Sequence, residues 1–136
     1  MYKTILLAID LADEESTAKL LSAARQLAAP SNAELCVMTV VPEDLSIGIA
    51  KRGKEDTLVA AQRRLRELTE RELPGQRVKQ VIAYGSAEEE ILRVARETRA
   101  DLIVVASHRP RARDLLLGST AAQVVRRASC SVLVLR

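Results

Sequence analysis

The sequence predicts an α/β domain built on an open parallel sheet, and three observations carry that expectation. Its strand-like runs are apolar throughout instead of alternating, as strands covered by helices on both faces must be. These runs alternate with segments of helical period, giving a repeated β-α order whose crossovers return the chain to the same sheet. No linker, internal repeat or low-complexity stretch divides the chain, and 136 residues suit a single domain spanning 1–136.

The elements follow in order. Residues 4–9 (TILLAI) read as a buried strand ending at Asp10, after which Asp13, Glu14 and Glu15 supply a cap and negative charge for a helix N-terminus. Ala18, Leu21, Ala24, Leu27 and Ala28 mark that helix, and Pro30 closes it. Residues 35–41 (LCVMTVV) form a second buried strand. Residues 42–54 carry two glycines and no period, which reads as a surface loop. Leu58, Ala61, Leu65 and Leu68 then mark a helix stopped by Pro74-Gly75.

Residues 78–83 give a short third strand broken by Gly85. Ser86 and Glu89 fit a capping box for the next helix, whose buried stripe is Ile91, Val94, Ala95 and Thr98. Residues 102–107 (LIVVAS) are a fourth strand. A basic loop leads to Gly118-Ser119-Thr120, a helix over 121–128 with Val124 and Val125 inward, and a last strand over 131–135 (SVLVL).

Composition narrows the function classes. Apolar residues make up 48% of the chain, yet there is no Phe, no Trp and only two Tyr, so Leu, Val, Ile and Ala build the core. No apolar run approaches the length of about 18 residues that a membrane span needs, and Lys3 is followed at once by a strand, so the N-terminus reads as structural. Cys36 and Cys130 stand far apart among apolar residues, as buried free thiols in a reducing, cytoplasmic setting. Between Ala106 and Arg127 five arginines (109, 111, 113, 126 and 127) face one acid, Asp114, although the whole chain carries only +3. An anionic ligand suits that end. Nucleic acid suits it less, because no aromatic stacking platform and no recognition-helix motif accompany the arginines.

Ligands of such sheets bind beyond the carboxyl ends of the strands. Four groups fall there: Ala8-Ile9-Asp10, Val40-Val41, Ala106-Ser107-His108-Arg109, and Gly118-Ser119-Thr120 opening a helix. The last group combines a small residue, two hydroxyls and free helix N–H groups, which suits a phosphate. It suits plain capping too, by Ser119 alone or by a Thr120–Gln123 box. Asp10 can accept hydrogen bonds from a ribose, orient a bound Mg²⁺, or cap the following helix. His108, the only histidine, has no companion ligand for a metal. Ser107 lacks a nucleophile elbow, and Glu88-Glu89-Glu90 favours a helix dipole more than catalysis. Neither GxGxxG nor GxxxxGK[ST] occurs.

The opening YKTILLAID, the strand ending at Val40-Val41, the Ala83-Tyr84-Gly85-Ser86 turn and the tail ADLIVVASHR…LLLGSTAAQVVRRASCSVLVLR resemble the universal stress protein family from Tyr2 to Arg136. The resemblance implies an open five-stranded parallel sheet in order 3-2-1-4-5 with helices on both faces, the adenine nucleotide alpha hydrolase-like fold. It implies a homodimer through an edge strand at 131–135, and in many members an ATP site, with or without Mg²⁺. ATP-binding members carry Gly-x-x-Gly, a nine-residue spacer, then Gly and Ser or Thr. Here Gly118-Ser119 match the end, Ala106 replaces the first glycine, Arg109 replaces the second, and the spacer from Pro110 to Leu117 is eight residues long. Ser107-His108-Arg109-Pro110 resembles a short-loop subgroup that still looks like nucleotide binders.

By position Ala8 and Asp10 match residues lining the nucleotide, Val41 the backbone that meets adenine, and Gly118, Ser119 and Thr120 the phosphate turn. Arg109 either obstructs the phosphate path or contacts the phosphates. The implied function is a stress-response or regulatory protein that binds ATP or a related adenine nucleotide and acts through shape or a protein partner. At most it would hydrolyse ATP slowly or phosphorylate itself. The alternative is a dimeric interaction module with a degenerate, nucleotide-free pocket. An enzyme acting on a phosphorylated metabolite would need a general base that the sequence does not supply.

Overall fold

All five strand-like runs pair in one parallel sheet of order β3-β2-β1-β4-β5. The computed structural model describes residues 1–43, 51–107 and 117–136, without the side chains of Lys51 and Arg52. The strands are β1 (Thr4–Ile9), β2 (Glu34–Pro42), β3 (Val78–Gly85), β4 (Leu102–Ala106) and β5 (Ser131–Leu135). Four helices connect them: α1 (Glu14–Ala28), α2 (Lys51–Glu72), α3 (Ala87–Thr98) and α4 (Ser119–Arg127).

Strand alternation divides the apolar residues between two cores. Ile5, Leu7 and Ile9 of β1 face Leu20, Leu21 and Ala24 of α1, Leu65 of α2 and Leu73 just beyond it. Leu6 of β1, with Cys36 and Met38 of β2, faces Ile91, Val94 and Ala95 of α3 and Ala121 and Val124 of α4. Each face thus carries two helices, which is why a strand such as β1 has no polar side. Aliphatic chains fill both layers, and the ring of half-buried Tyr2 packs against the first of them. The starts of β1 and β4 are pinned together by Asp101, whose carboxylate accepts from Lys3 N at 2.9 Å and Thr4 N at 3.1 Å. Cys36 is a free buried thiol and Cys130 a free half-buried one. Burial pushes the Cys36 thiol up to about 11.

Several boundaries differ from the expectation. Helix α2 begins at Lys51, inside the stretch read as a loop. Tertiary packing overrides Gly53, whose carbonyl accepts from Thr57 Oγ1 at 2.8 Å. The remainder of that loop, 44–50, lies outside the described residues. Strand β3 continues to Gly85 because Tyr84 and Gly85 pair with Val41 and Pro42. Gly85 ends the strand at φ 136, a conformation side-chain-bearing residues rarely adopt.

Pro30 sits within a short 3-10 turn (Ala29–Ser31), and left-handed Asn32 completes the exit from α1. The capping box at Ser86 and Glu89 does not form. Ser86 is the N-cap residue of α3 but its side chain makes no capping bond, and the Glu89 carboxylate, the other half of the box, accepts from Arg127 instead. Among the described residues no helix is long and apolar enough to cross a membrane.

Candidate functional site

β1 neighbours β2 on one side and β4 on the other, so consecutive crossovers leave the sheet in opposite directions there. A crevice must open at that point, beyond the carboxyl ends of the strands. The structure has a cavity of about 310 Å³ at this place, lined by Ala8 and Asp10 from the end of β1, Val40 and Pro42 from β2, Gly85 and Ile91 around the start of α3, and Ala106 and Thr120. A second hollow of about 680 Å³ adjoins it past Asp10 and Ala106. Its walls include Asp13, Ser16 and Lys19 of the α1 start, Arg64 of α2, and Ser107, Leu135 and Arg136.

Asp10 is exposed at the lip shared by both spaces. Its Oδ1 accepts from Ala12 N at 2.9 Å, the Asx turn typical of a short acid leaving a strand. Helix α1 is capped by Asp13 and not by Asp10. Asp13 Oδ1 accepts from Ser16 N at 3.0 Å and its Oδ2 from Ser16 Oγ at 2.7 Å. The capping reading of Asp10 is therefore corrected: the next acid along the chain does that work.

The N-terminus of α4 is different. Gly118 is its N-cap residue and brings no capping side chain, none among the described residues caps it, and no acid stands in the first turn. Ser119 is the first helical residue and Thr120 the second, so neither the Ser119 cap nor the Thr120–Gln123 box exists. The first N–H groups of an uncapped helix have no intrahelical acceptor and carry partial positive charge. Thr120 lines the cavity, Ser119 is exposed outside its lining, and Gly118 is buried. Across α4, Arg127 donates to Glu89 at 2.6 and 3.1 Å, tying α4 to α3. The Arg127 guanidinium beside it holds the Glu89 carboxyl below the usual carboxylate range.

The structure therefore brings together Ala8, Asp10, Ala106 and Thr120. It places Ser107 on the adjoining space, where its N–H donates to Leu135 O at 2.7 Å. Val41 pairs with Tyr84 and is absent from the lining, which takes Val40 and Pro42 on either side of it. Alternation turns the Val41 side chain to the opposite face, so only its backbone is available to that side. His108, Arg109, Arg111 and Arg113, with all but Leu117 of the spacer, lie outside the described residues. Sequence reasoning named Val40 at this end of the sheet but missed Pro42, Gly85, Ile91 and Ser16 as lining residues. Gly85 was visible only as a strand breaker, and Ile91 only as part of a core stripe. Among the described residues no group of three or more His, Cys, Asp or Glu side chains is arranged to hold a metal.

Comparison with known proteins gives a consistent result. The model of the universal stress protein family matches residues 1–136. Universal stress protein G of Escherichia coli O157:H7 is 31% identical over 143 residues, covering 100% of both chains. Among solved structures, a hypothetical protein that served as a test case for structure-based assignment of biochemical function superposes with TM-score 0.82 at 27% identity, covering 99% of this chain and 96% of that one. A universal stress protein in complex with cAMP superposes with TM-score 0.75 at 25% identity, covering 99% and 97%.

Proposed function

Since the chain belongs to the universal stress protein family, we propose that it binds an adenine nucleotide at the switch-point cavity and acts through a change of conformation or of partners, with little or no turnover. The observation that carries this reading is the N-terminus of α4, uncapped among the described residues, which opens at Thr120 onto the same cavity as Asp10, Ala8 and Ala106. Phosphate oxygens would accept from N–H groups at Ser119 and Thr120, close to Gly118. Asp10 would meet the ribose, and the backbone about Val41 the adenine edge. Arg109 and Ser107 would complete the phosphate end. The relative solved with cAMP supports an adenine ligand in this fold.

ATP is the nucleotide proposed. Mg²⁺ would be held by the phosphates and, among the described residues lining the cavity, by the carboxylate of Asp10, which suits its preference for keeping several waters. Among the described lining residues no histidine or second carboxylate stands ready as a general base beside the phosphates. The proposed output is therefore binding, read by a regulatory protein partner.

A second copy of the chain is proposed to cover β5. That strand is an edge of the sheet, and its Val132, Leu133, Val134 and Leu135 are all only half-buried. The cytoplasm, where adenine nucleotides are abundant, is the proposed compartment.

The test is calorimetric titration with Mg-ATP, AMP, cAMP and GTP, using Gly118→Val as the site control. Micromolar binding of an adenine nucleotide that the variant loses, with GTP weaker, supports the reading. No binding at millimolar concentrations refutes it and leaves the partner-binding module with a degenerate pocket.

A further inference from the structure

We propose that Thr17 is the positioning residue for Asp10: its buried hydroxyl holds the peptide that follows Asp10 and so aims the carboxylate. The inference rests on the nucleotide reading and extends it to a residue that touches no ligand.

Thr17 is 5% exposed and lies in the second turn of α1. A threonine inside a helix commonly bonds back to a carbonyl three or four residues earlier. This one reaches seven residues back, where Thr17 Oγ1 donates to the carbonyl of Asp10 at 2.9 Å. The same carbonyl accepts from Asp13 N at 3.0 Å. One residue on, the carbonyl of Leu11 accepts from Arg64 Nη2 of α2 at 2.8 Å. With Asp10 Oδ1 engaged by Ala12 N, the turn is tied to α1, to α2 and to itself. Asp10 Oδ2 has no hydrogen-bond partner among the described residues, so it is the group left for a ligand.

Thr17 lines the groove between α1 and α2 and neither of the spaces that Asp10 borders. Its influence on a nucleotide must therefore pass through Asp10. A valine at this position keeps the volume and the packing while removing the donor. The Asp10 carbonyl keeps its bond from Asp13 N, so the turn survives but the torsion that aims the carboxylate is freed.

The experiment compares wild type, Thr17→Val and Thr17→Ser by calorimetric titration with ATP and with 2′,3′-dideoxy-ATP, which lacks the hydroxyls Asp10 would accept from. Thr17→Val should bind ATP about 5- to 10-fold more weakly, the effect of one lost hydrogen bond. It should bind the dideoxy nucleotide within about twofold of wild type, and Thr17→Ser should restore ATP binding. Equal losses for both nucleotides, or no loss, overturn the inference while leaving the nucleotide reading intact.

Failure of the wild type to bind any adenine nucleotide overturns that reading and, with it, the role assigned here. Amide exchange supplies a readout free of ligand. Ala12 and Asp13 N–H groups should exchange faster in Thr17→Val, and unchanged rates refute the positioning role by themselves. Should the valine variant not fold, Thr17→Ser against Thr17→Ala makes the same comparison.

Discussion

Replacing Gly118 by alanine separates two reasons for a glycine at the head of α4. Gly118 has φ −59 and ψ 155, a conformation open to any L residue, so its backbone freedom is unused. Alanine there narrows the unfolded ensemble, a gain of about 0.4–1 kcal/mol. It is a poorer N-cap residue than glycine, a loss of about the same size. The two offset, and stability should change by less than about 1 kcal/mol.

Binding should respond differently. An anion that accepts from the N–H groups of Ser119 and Thr120 passes close to the Cα of residue 118, where the new methyl stands. A tenfold loss of affinity, about 1.4 kcal/mol, is the expected outcome. Urea unfolding measures the first quantity and calorimetry with ATP the second. Affinity within twofold of wild type refutes close approach at Gly118. A stability loss above about 2 kcal/mol shows that the glycine serves packing instead.

Other perturbations test the fold and its electrostatics. Leu65→Ala removes a fully buried anchor of α2 and should cost about 3 kcal/mol in urea unfolding, with a loss below 1 kcal/mol refuting the packing account. Cys36 has a thiol raised from 9.0 to about 11 in the fold. A raised acid contributes stability below its unfolded value and loses it as pH climbs through the folded one. Wild type should therefore lose stability more steeply than Cys36→Ala between about pH 9 and 11; parallel curves refute this.

Glu89 is the opposite case. Its carboxyl is lowered first by the hydrogen bond from Arg127, so the contribution is present above the unfolded value and lost as pH falls through the folded one. In a carboxyl NMR titration it should titrate below ordinary glutamates, and Arg127→Gln should return it to their range. No shift on that substitution refutes the pairing.

Much of the architecture was legible because burial writes a local pattern. A strand covered on both faces must be apolar along its length, as ILLAI is, and a helix lying on a sheet must repeat near 3.6 residues, as Leu21, Ala24 and Ala28 do. Ala18 of the expected stripe is exposed, however, and Leu20 takes its place in the core. The candidate cavity was legible where it coincides with punctuation: Asp10 after an apolar strand, and Thr120 at the head of a helix. Val41 shows the limit. The end of β2 was identified, but which neighbour turns to the cavity depends on pleat parity relative to β1, and the lining takes Val40 and Pro42.

The sequence by itself determined the elements, their order, the family and the end of the sheet where the cavity opens. Only tertiary structure decided which partner each polar group takes. Glu89 had a local partner on offer at Ser86 and went to Arg127, 38 residues away. The cap of α1 by Asp13 is local and was readable in the sequence, whereas the hydroxyl of Thr17 on the Asp10 carbonyl was not. A carboxylate or hydroxyl can satisfy itself in several ways at similar free energy, so nearest-neighbour reasoning leaves the choice open. The packing of α1 and α2 on one face, and of α3 on α4 on the other, settles it by bringing one partner within hydrogen-bonding distance.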